Sequence, residues 1–130
     1  MNKKIIIIGG VAAGMSAASK AKRIDKSLDI TVYEMTEAIS WGACGLPYYV
    51  GDFYPDASLM VARTYEEFQK EGINVKIKHK VENIDFKNKK VFVRNLNENK
   101  VFEDNYDELV IATGASSTSP RDIKNLDAEG

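Results

Sequence analysis

Two groups of residues in this chain could do chemistry. The first surrounds its lone thiol, Cys44, in the run Ser40-Trp41-Gly42-Ala43-Cys44-Gly45-Leu46-Pro47-Tyr48-Tyr49. By default a single cysteine packs as a small buried hydrophobe. Here glycines and aromatics in a loop favour access instead. A helix beginning over 45–50 would put the thiol at its positive end, where a thiolate is stabilised and can attack a disulfide at neutral pH. The second group is Gly9-Gly10-Val11-Ala12-Ala13-Gly14, which follows Ile5 to Ile8 and precedes a helical pattern. Gly9 and Gly14 match the first and third glycines of a dinucleotide fingerprint, which seats a pyrophosphate on the helix N-terminus. Val11 stands where the middle glycine belongs. Glu34 strengthens the match, because an acid about 20 positions past the turn, at the end of the second strand, is where a ribose hydroxyl is held. A plain βαβ unit with a tight turn is the alternative.

These residues need particular elements under them. Ile5 to Ile8 reads as a strand buried on both faces of a parallel sheet. Val11 to Ile24 reads as a helix that packs through Ala13, Ala17, Ala21 and Ile24, and Asp29 to Glu34 as a second strand, completing a right-handed βαβ. Thr36 to Asp56 is irregular, and long ordered loops of this kind are usually functional. Thr64 to Lys70 carries a capping box, Thr64 with Glu67, and Gly72 ends that helix. From Ile73 the period becomes two, so Val75, Ile77, His79 and Val81 predict one half-exposed strand. His79, the only histidine, is in phase with the inward positions and reads as structural. Turns over 87–89 and 95–99 flank strands around Val91-Phe92-Val93 and Val101-Phe102. Leu109-Val110-Ile111 is again of the buried type and ends in Ala112-Thr113-Gly114. The predicted class is α/β, a Rossmann-like domain with a parallel sheet and a small antiparallel β-meander.

Composition narrows the function. A length of 130 residues suits one compact domain. Eighteen Lys and Arg against 19 Asp and Glu give a net charge of -1, with no general attraction to nucleic acid or anionic membrane. One cysteine rules out an internal disulfide framework and points to a reducing, cytoplasmic compartment. The basic start and isoleucine run superficially resemble a secretory signal, but the glycines that follow make a strand-turn-helix. No stretch is expected to span a bilayer, and no metal ligands are assigned.

The glycine turn, the Glu34 strand end, the Ser-aromatic-x-x-Cys-Gly-Leu-Pro-Tyr loop and the run Tyr106-Asp107-x-Leu109 to Ala115 together resemble the pyridine nucleotide-disulfide oxidoreductases. The likeness covers about Lys4 to Ala115. It is strongest to the single-cysteine branch that holds coenzyme A-disulfide reductase, NADH oxidase and NADH peroxidase. The resemblance implies an FAD-binding domain over 1–115, and a connector over 116–130 toward a nicotinamide-binding domain. It implies FAD along Gly9, Gly10, Val11, Ala12, Ala13, Gly14, Glu34, Val81, Ala112, Thr113 and Gly114, NADH or NADPH as electron donor, and Cys44 as the catalytic thiol. Dithiol members carry Cys-x-x-x-x-Cys, whereas Tyr49 stands five residues after Cys44, so the acceptor must form a mixed disulfide or a sulfenate with Cys44. Peroxidase-type members have a histidine in the glycine turn where this chain has Ala12.

Members that reduce coenzyme A disulfide carry basic residues on the first helix. Ser16, Lys20 and Arg23 share one face here, with Lys22 close by, and Ser40 joins them as a substrate residue. Trp41 and Ala43 replace the Phe and Asn usual in that loop. Arg63, in Ala62-Arg63-Thr64, also matches the family, without a physical reason to call it catalytic. The activity implied is an FAD-dependent NAD(P)H:disulfide oxidoreductase, acting as a homodimer on coenzyme A disulfide or a related small disulfide. Persulfide, polysulfide or oxygen are alternative acceptors, and this segment by itself is expected to be inactive. A non-catalytic nucleotide-binding module with an inert Cys44 is the competing class.

Overall fold

A computed structural model of the chain describes residues 2–116, so the connector expected over 116–130 lies outside the described residues beyond its first position. The elements are β1 (Lys4–Ile8), α1 (Ala12–Ile24), β2 (Asp29–Tyr33), α2 (Leu46–Val50), α3 (Tyr65–Lys70), β3 (Ile73–Lys76), β4 (His79–Asp85), β5 (Lys90–Asn95), β6 (Lys100–Asn105) and β7 (Glu108–Ile111). Short 3-10 turns cover Ala43–Gly45 and Ala57–Met60.

The isoleucine run is uninterrupted because both of its faces are covered. β3, β2, β1 and β7 form, in that order, a four-stranded parallel sheet. On one face Ile7, Ile30 and Val32 pack with Met15 and Ala18 of α1 and Phe68 of α3. On the other, Ile6, Ile8 and Tyr33 pack against Val91, Val93 and Tyr106. The second cover is the antiparallel meander β4-β5-β6. Strand alternation therefore sends apolar side chains into two separate cores.

Glycine fixes the approach of α1 to the sheet. A Cβ at Gly14 would lie 1.8 Å from the Gly9 carbonyl oxygen, and one at Gly9, whose φ is +103°, would lie 2.3 Å from the Ala112 oxygen. This close approach sets the helix rotation, and the packed stripe is Gly14, Met15 and Ala18 rather than the expected Ala13, Ala17, Ala21 and Ile24. Ala17 and Ala21 flank that stripe, while Ala13 and Ile24 are exposed. The helix also starts one residue later than predicted, with Val11 as its N-cap.

Two further expectations change. The single strand over Val75 to Val81 is two strands in two sheets, because the chain turns at Ile77-Lys78, where Lys78 adopts φ +55°. Glu34 is the pivot: its N–H donates to the Lys76 carbonyl, and its own carbonyl accepts from His79 N–H, each at 2.9 Å. The loop over 36–56 is not wholly irregular, since α2 occupies 46–50. The capping box is formed as expected: Thr64 Oγ1 accepts from Glu67 N–H, and the Glu67 carboxylate accepts from Thr64 N–H at 2.7 Å. Phe68, one turn into α3, is thereby delivered to the core.

Candidate nucleotide cavity and thiol loop

The site is built outward from Glu34, a carboxylate only 5% exposed. Its Oε2 accepts the Gly10 N–H at 2.7 Å, and its Oε1 accepts the N–H and hydroxyl of Thr36, each at 2.8 Å. Three donors hold the group, and a carboxylate has about four lone-pair sites. One position is left for a donor from outside the chain, such as a ribose hydroxyl. Through Gly10 the same side chain braces the glycine turn from the end of β2.

Beside it, at the carboxyl ends of the parallel strands, lies a cavity of about 680 Å³. Gly9, Val11, Ala12, Ala13, Glu34, Val81, Ala112, Thr113 and Gly114 all line it, so nine of the sequence-predicted cofactor residues come together. Gly10 and Gly14 stand behind the turn and shape it. Two observations bear on an FAD pyrophosphate. α1 begins with no side-chain cap and no acidic residue in its first turn, which leaves first-turn N–H groups open to an anion. Gly114, at φ +66°, has nothing within 4 Å of where a Cβ would stand. The residues present fit the adenosine and pyrophosphate portion of FAD.

Sequence reasoning missed part of this wall. Tyr33, Met35, Thr36, His79 and Lys80 also line the cavity. The Tyr33 hydroxyl donates to Asp104 Oδ2 at 2.8 Å, and Lys4 Nζ donates to Oδ1 of the same carboxylate. Burial, followed by the Asp104 contact, raises the Tyr33 hydroxyl well above the ordinary phenol range. It is therefore a permanent donor, tying β2 to β6. His79 Nδ1 lies 2.7 Å from the Ile77 carbonyl oxygen, which can only accept, so Nδ1 carries the proton. The His79 ring sits among Tyr33 and Phe102, with centroids 6.2 and 6.0 Å away. Alternation could not reveal this position, because the strand break follows His79's neighbours rather than its type.

A cleft of about 470 Å³ lies beside the same helix start and shares Val11 and Ala12 with the cavity. Ser16, Arg23 and Ser40 line it, as do Ser19, Trp41 and Arg63. Lys20 is exposed and is not part of this lining. Lys22, one position farther round the helix from Ala21, donates instead to the carbonyls of Lys26 and Leu28. The cation that joins Arg23 is thus Arg63, from a distant loop. The resemblance singles out Arg63 without a role, and only tertiary contact shows that it shares the cleft with Arg23.

The thiol loop is tied to the glycine turn by backbone. Ser40 N–H donates to the Gly10 carbonyl at 2.8 Å, Ala62 N–H to the Ser40 carbonyl at 2.9 Å, and Gly42 N–H to the Met60 carbonyl at 2.7 Å. Cys44 follows in the 3-10 turn closed by Gly45 N–H on the Gly42 carbonyl. It is free and exposed. It lines neither hollow, and it stands two residues past Gly42, which does line the cleft. α2 begins at Leu46, two residues beyond the thiol.

Across residues 3–130 the chain matches the family described as pyridine nucleotide-disulphide oxidoreductase. The chain belongs to this family. Pyridine nucleotide-disulphide oxidoreductases of this kind are FAD-dependent and use NAD(P)H. Over 117 residues the chain is 38% identical to the coenzyme A disulfide reductase of Staphylococcus aureus (strain COL), a match covering 89% of this chain and 27% of the relative. Reduced Bacillus anthracis CoADR-RHD superposes with a TM-score of 0.89 at 29% identity, over 93% of this chain and 22% of that one. The NAD-dependent persulfide reductase of A. fulgidus superposes with a TM-score of 0.84 at 40% identity, over 91% and 22% of the respective chains. The chain therefore spans about a quarter of the length of the curated relative. Among the described residues no helix is long and apolar enough to cross a membrane, and no cluster of three or more His, Cys, Asp or Glu side chains could hold a metal ion.

Proposed function

We propose that the whole protein is an FAD-dependent NAD(P)H:disulfide oxidoreductase that reduces coenzyme A disulfide or a related small disulfide through Cys44. The observation that carries this reading is the lone exposed thiol on a loop hydrogen-bonded to the glycine turn. An exposed thiol two residues from Gly42 of the cleft can meet a substrate, whereas a structural one would be buried. In this reading residues 1–115 supply the FAD-binding portion, with the adenosine end over Gly9 to Gly14 and the ribose on Glu34. Val81 and Ala112 to Gly114 complete the wall, and Ser16, Lys20, Arg23 and Ser40 serve the substrate. A reducing cytoplasm and a homodimer complete the proposal.

Cys44 Sγ, as thiolate, attacks one sulfur of the acceptor. The acceptor's S–S bond breaks, one thiolate leaves and takes a proton, and Cys44 holds the other half in a mixed disulfide. When bound, FAD supplies the two electrons, drawn from NAD(P)H, that release the second thiol. Cys44 then returns to thiolate. The loop's backbone anchors at Ser40 and Gly42 keep the sulfur in place through the cycle. Cys44 is the one cysteine of these 130 residues, so the mixed disulfide forms without a dithiol partner from this segment.

The test is Cys44→Ser in the full-length enzyme. FAD binding and hydride uptake from NAD(P)H should be normal, while disulfide reduction should fall by at least about a thousandfold, because serine is a poor nucleophile and leaving group for exchange. Retention of most reductase activity would eliminate the mixed-disulfide mechanism and leave Cys44 inert.

A further inference from the structure

Two cations face the cleft beside α1, and one of them is already engaged. Arg63 donates from Nη2 to Glu71 Oε1 at 2.8 Å and from Nη1 to Glu71 Oε2 at 3.3 Å, a two-pronged grip on one carboxylate. Nη1 also reaches Ser19 Oγ on α1 at 3.3 Å. The guanidinium carbon lies 4.4 Å over the ring centroid of Phe68, which is buried, so the head group rests on a fixed surface. Arg23 has no ion-pair partner among the described residues. Glu71 lines the cleft along with both arginines.

A guanidinium fork that fits a carboxylate through two N–H groups fits a phosphate in the same way. Arg63 and Glu71 are 33% and 43% exposed, and ion pairs in such surroundings are weakly held. A phosphate carries more charge and can share Arg23 and the hydroxyls of Ser16, Ser19 and Ser40. It should therefore win the fork from Glu71. We propose that Arg63 is a specificity residue for the phosphates of the acceptor, and that Glu71 is an internal counter-anion holding the fork in place until a phosphate displaces it. The proposal rests on the reading of the acceptor given above and adds a cation that reading did not include.

The test uses the full-length enzyme with FAD bound. Binding of coenzyme A and of pantetheine, the same thiol arm without its nucleotide, is followed by the fluorescence of Trp41, which lines the cleft. A Trp41→Phe variant identifies that signal. Arg63→Gln should weaken coenzyme A binding by at least about tenfold and leave pantetheine unchanged, since a charge-assisted pair of hydrogen bonds is lost. Arg63→Lys, which keeps the charge without the fork, should recover only part of the loss. Glu71→Gln should tighten coenzyme A about threefold, the scale of an exposed ion pair. Glu66→Gln, an equal charge change at the opposite end of α3, should not. In the Arg63→Gln background Glu71→Gln should do nothing. Unchanged FAD retention shows that each variant is folded. Equal loss of both ligands in Arg63→Gln, weaker coenzyme A binding in Glu71→Gln, or the same gain in Glu66→Gln would each overturn the proposal. A wild-type enzyme that does not prefer coenzyme A to pantetheine would overturn the acceptor reading as well. A preference that survives Arg63→Gln would overturn the proposal alone.

Discussion

The glycine turn and the thiol loop meet at a single hydrogen bond, Ser40 to Gly10, yet they are built on opposite terms. Around the turn, β1, α1 and the end of β7 touch through backbone, with no room for a methyl group at Gly9 or Gly14. Glu34 is buried with every protein donor around it satisfied. In the thiol loop α2 has no buried residue, and Tyr48, Val50 and Phe53 are all exposed. A cofactor cradle gains from rigidity, because its donors must be aimed before the ligand arrives. In the proposed reaction the nucleophile must meet an outside disulfide and needs access, and the loop that carries Cys44 has only a few backbone anchors.

That contrast can be broken most directly with glycine. Gly14→Ala would force a methyl group into a carbonyl oxygen and should cost about 3 kcal/mol of stability in denaturant unfolding, the upper end for overpacking. Gly42→Ala, whose Cβ would lie 3.2 Å from the Met60 oxygen, should cost less than about 1 kcal/mol. Equal costs would mean that the two regions are packed alike. Glu34→Ala should cost about 2 kcal/mol, because the buried Gly10 N–H loses its partner, and FAD retention should fall with it. A stability loss without any change in FAD retention would leave Glu34 as a brace alone. The smallest effect concerns the meander, where the Glu82 carboxyl is held below its ordinary value of 4.5 by its hydrogen bond with Arg94. A depressed folded pKa contributes stability above the unfolded pKa and loses it as the pH falls through the folded value. Glu82→Gln should therefore lower stability slightly at neutral pH, leave it unchanged at a pH below the folded pKa, and so flatten the acid limb of a stability–pH curve. A marked loss at pH 7 would show that this exposed pair matters more than its surroundings allow.

What could be read from the sequence follows the range of the interactions. β1, α1 and β2 were legible because their apolar pattern, glycines and terminal acid are local, and so was the Thr64–Glu67 box. The division between β3 and β4 was not, since Ile77 and His79 keep the alternation going through a turn that only the Glu34 pivot imposes. The helix face was misjudged by one position because the rotation of α1 is set by Gly14 against Gly9, a contact that apolar periodicity does not encode. Ser16, Lys20 and Arg23 share a nominal face with Lys22 close by, yet the cation that joins Arg23 in the cleft comes from residue 63, beside a ring on α3. A pairing of that kind has no spacing to detect.

Val11 and Ala12 front both the cavity and the cleft. They are a common boundary, and its mutational history cannot belong to either tenant. Ser16 and Arg23 line the cleft alone and Val81 the cavity alone, so each can change without informing the other. A larger side chain at position 12 narrows both rooms at once, so a change that suits one ligand is filtered by its effect on the second. Variation at these two positions should therefore be read as compromise, with the fitness of each substitution depending on what already stands on both sides of the helix start.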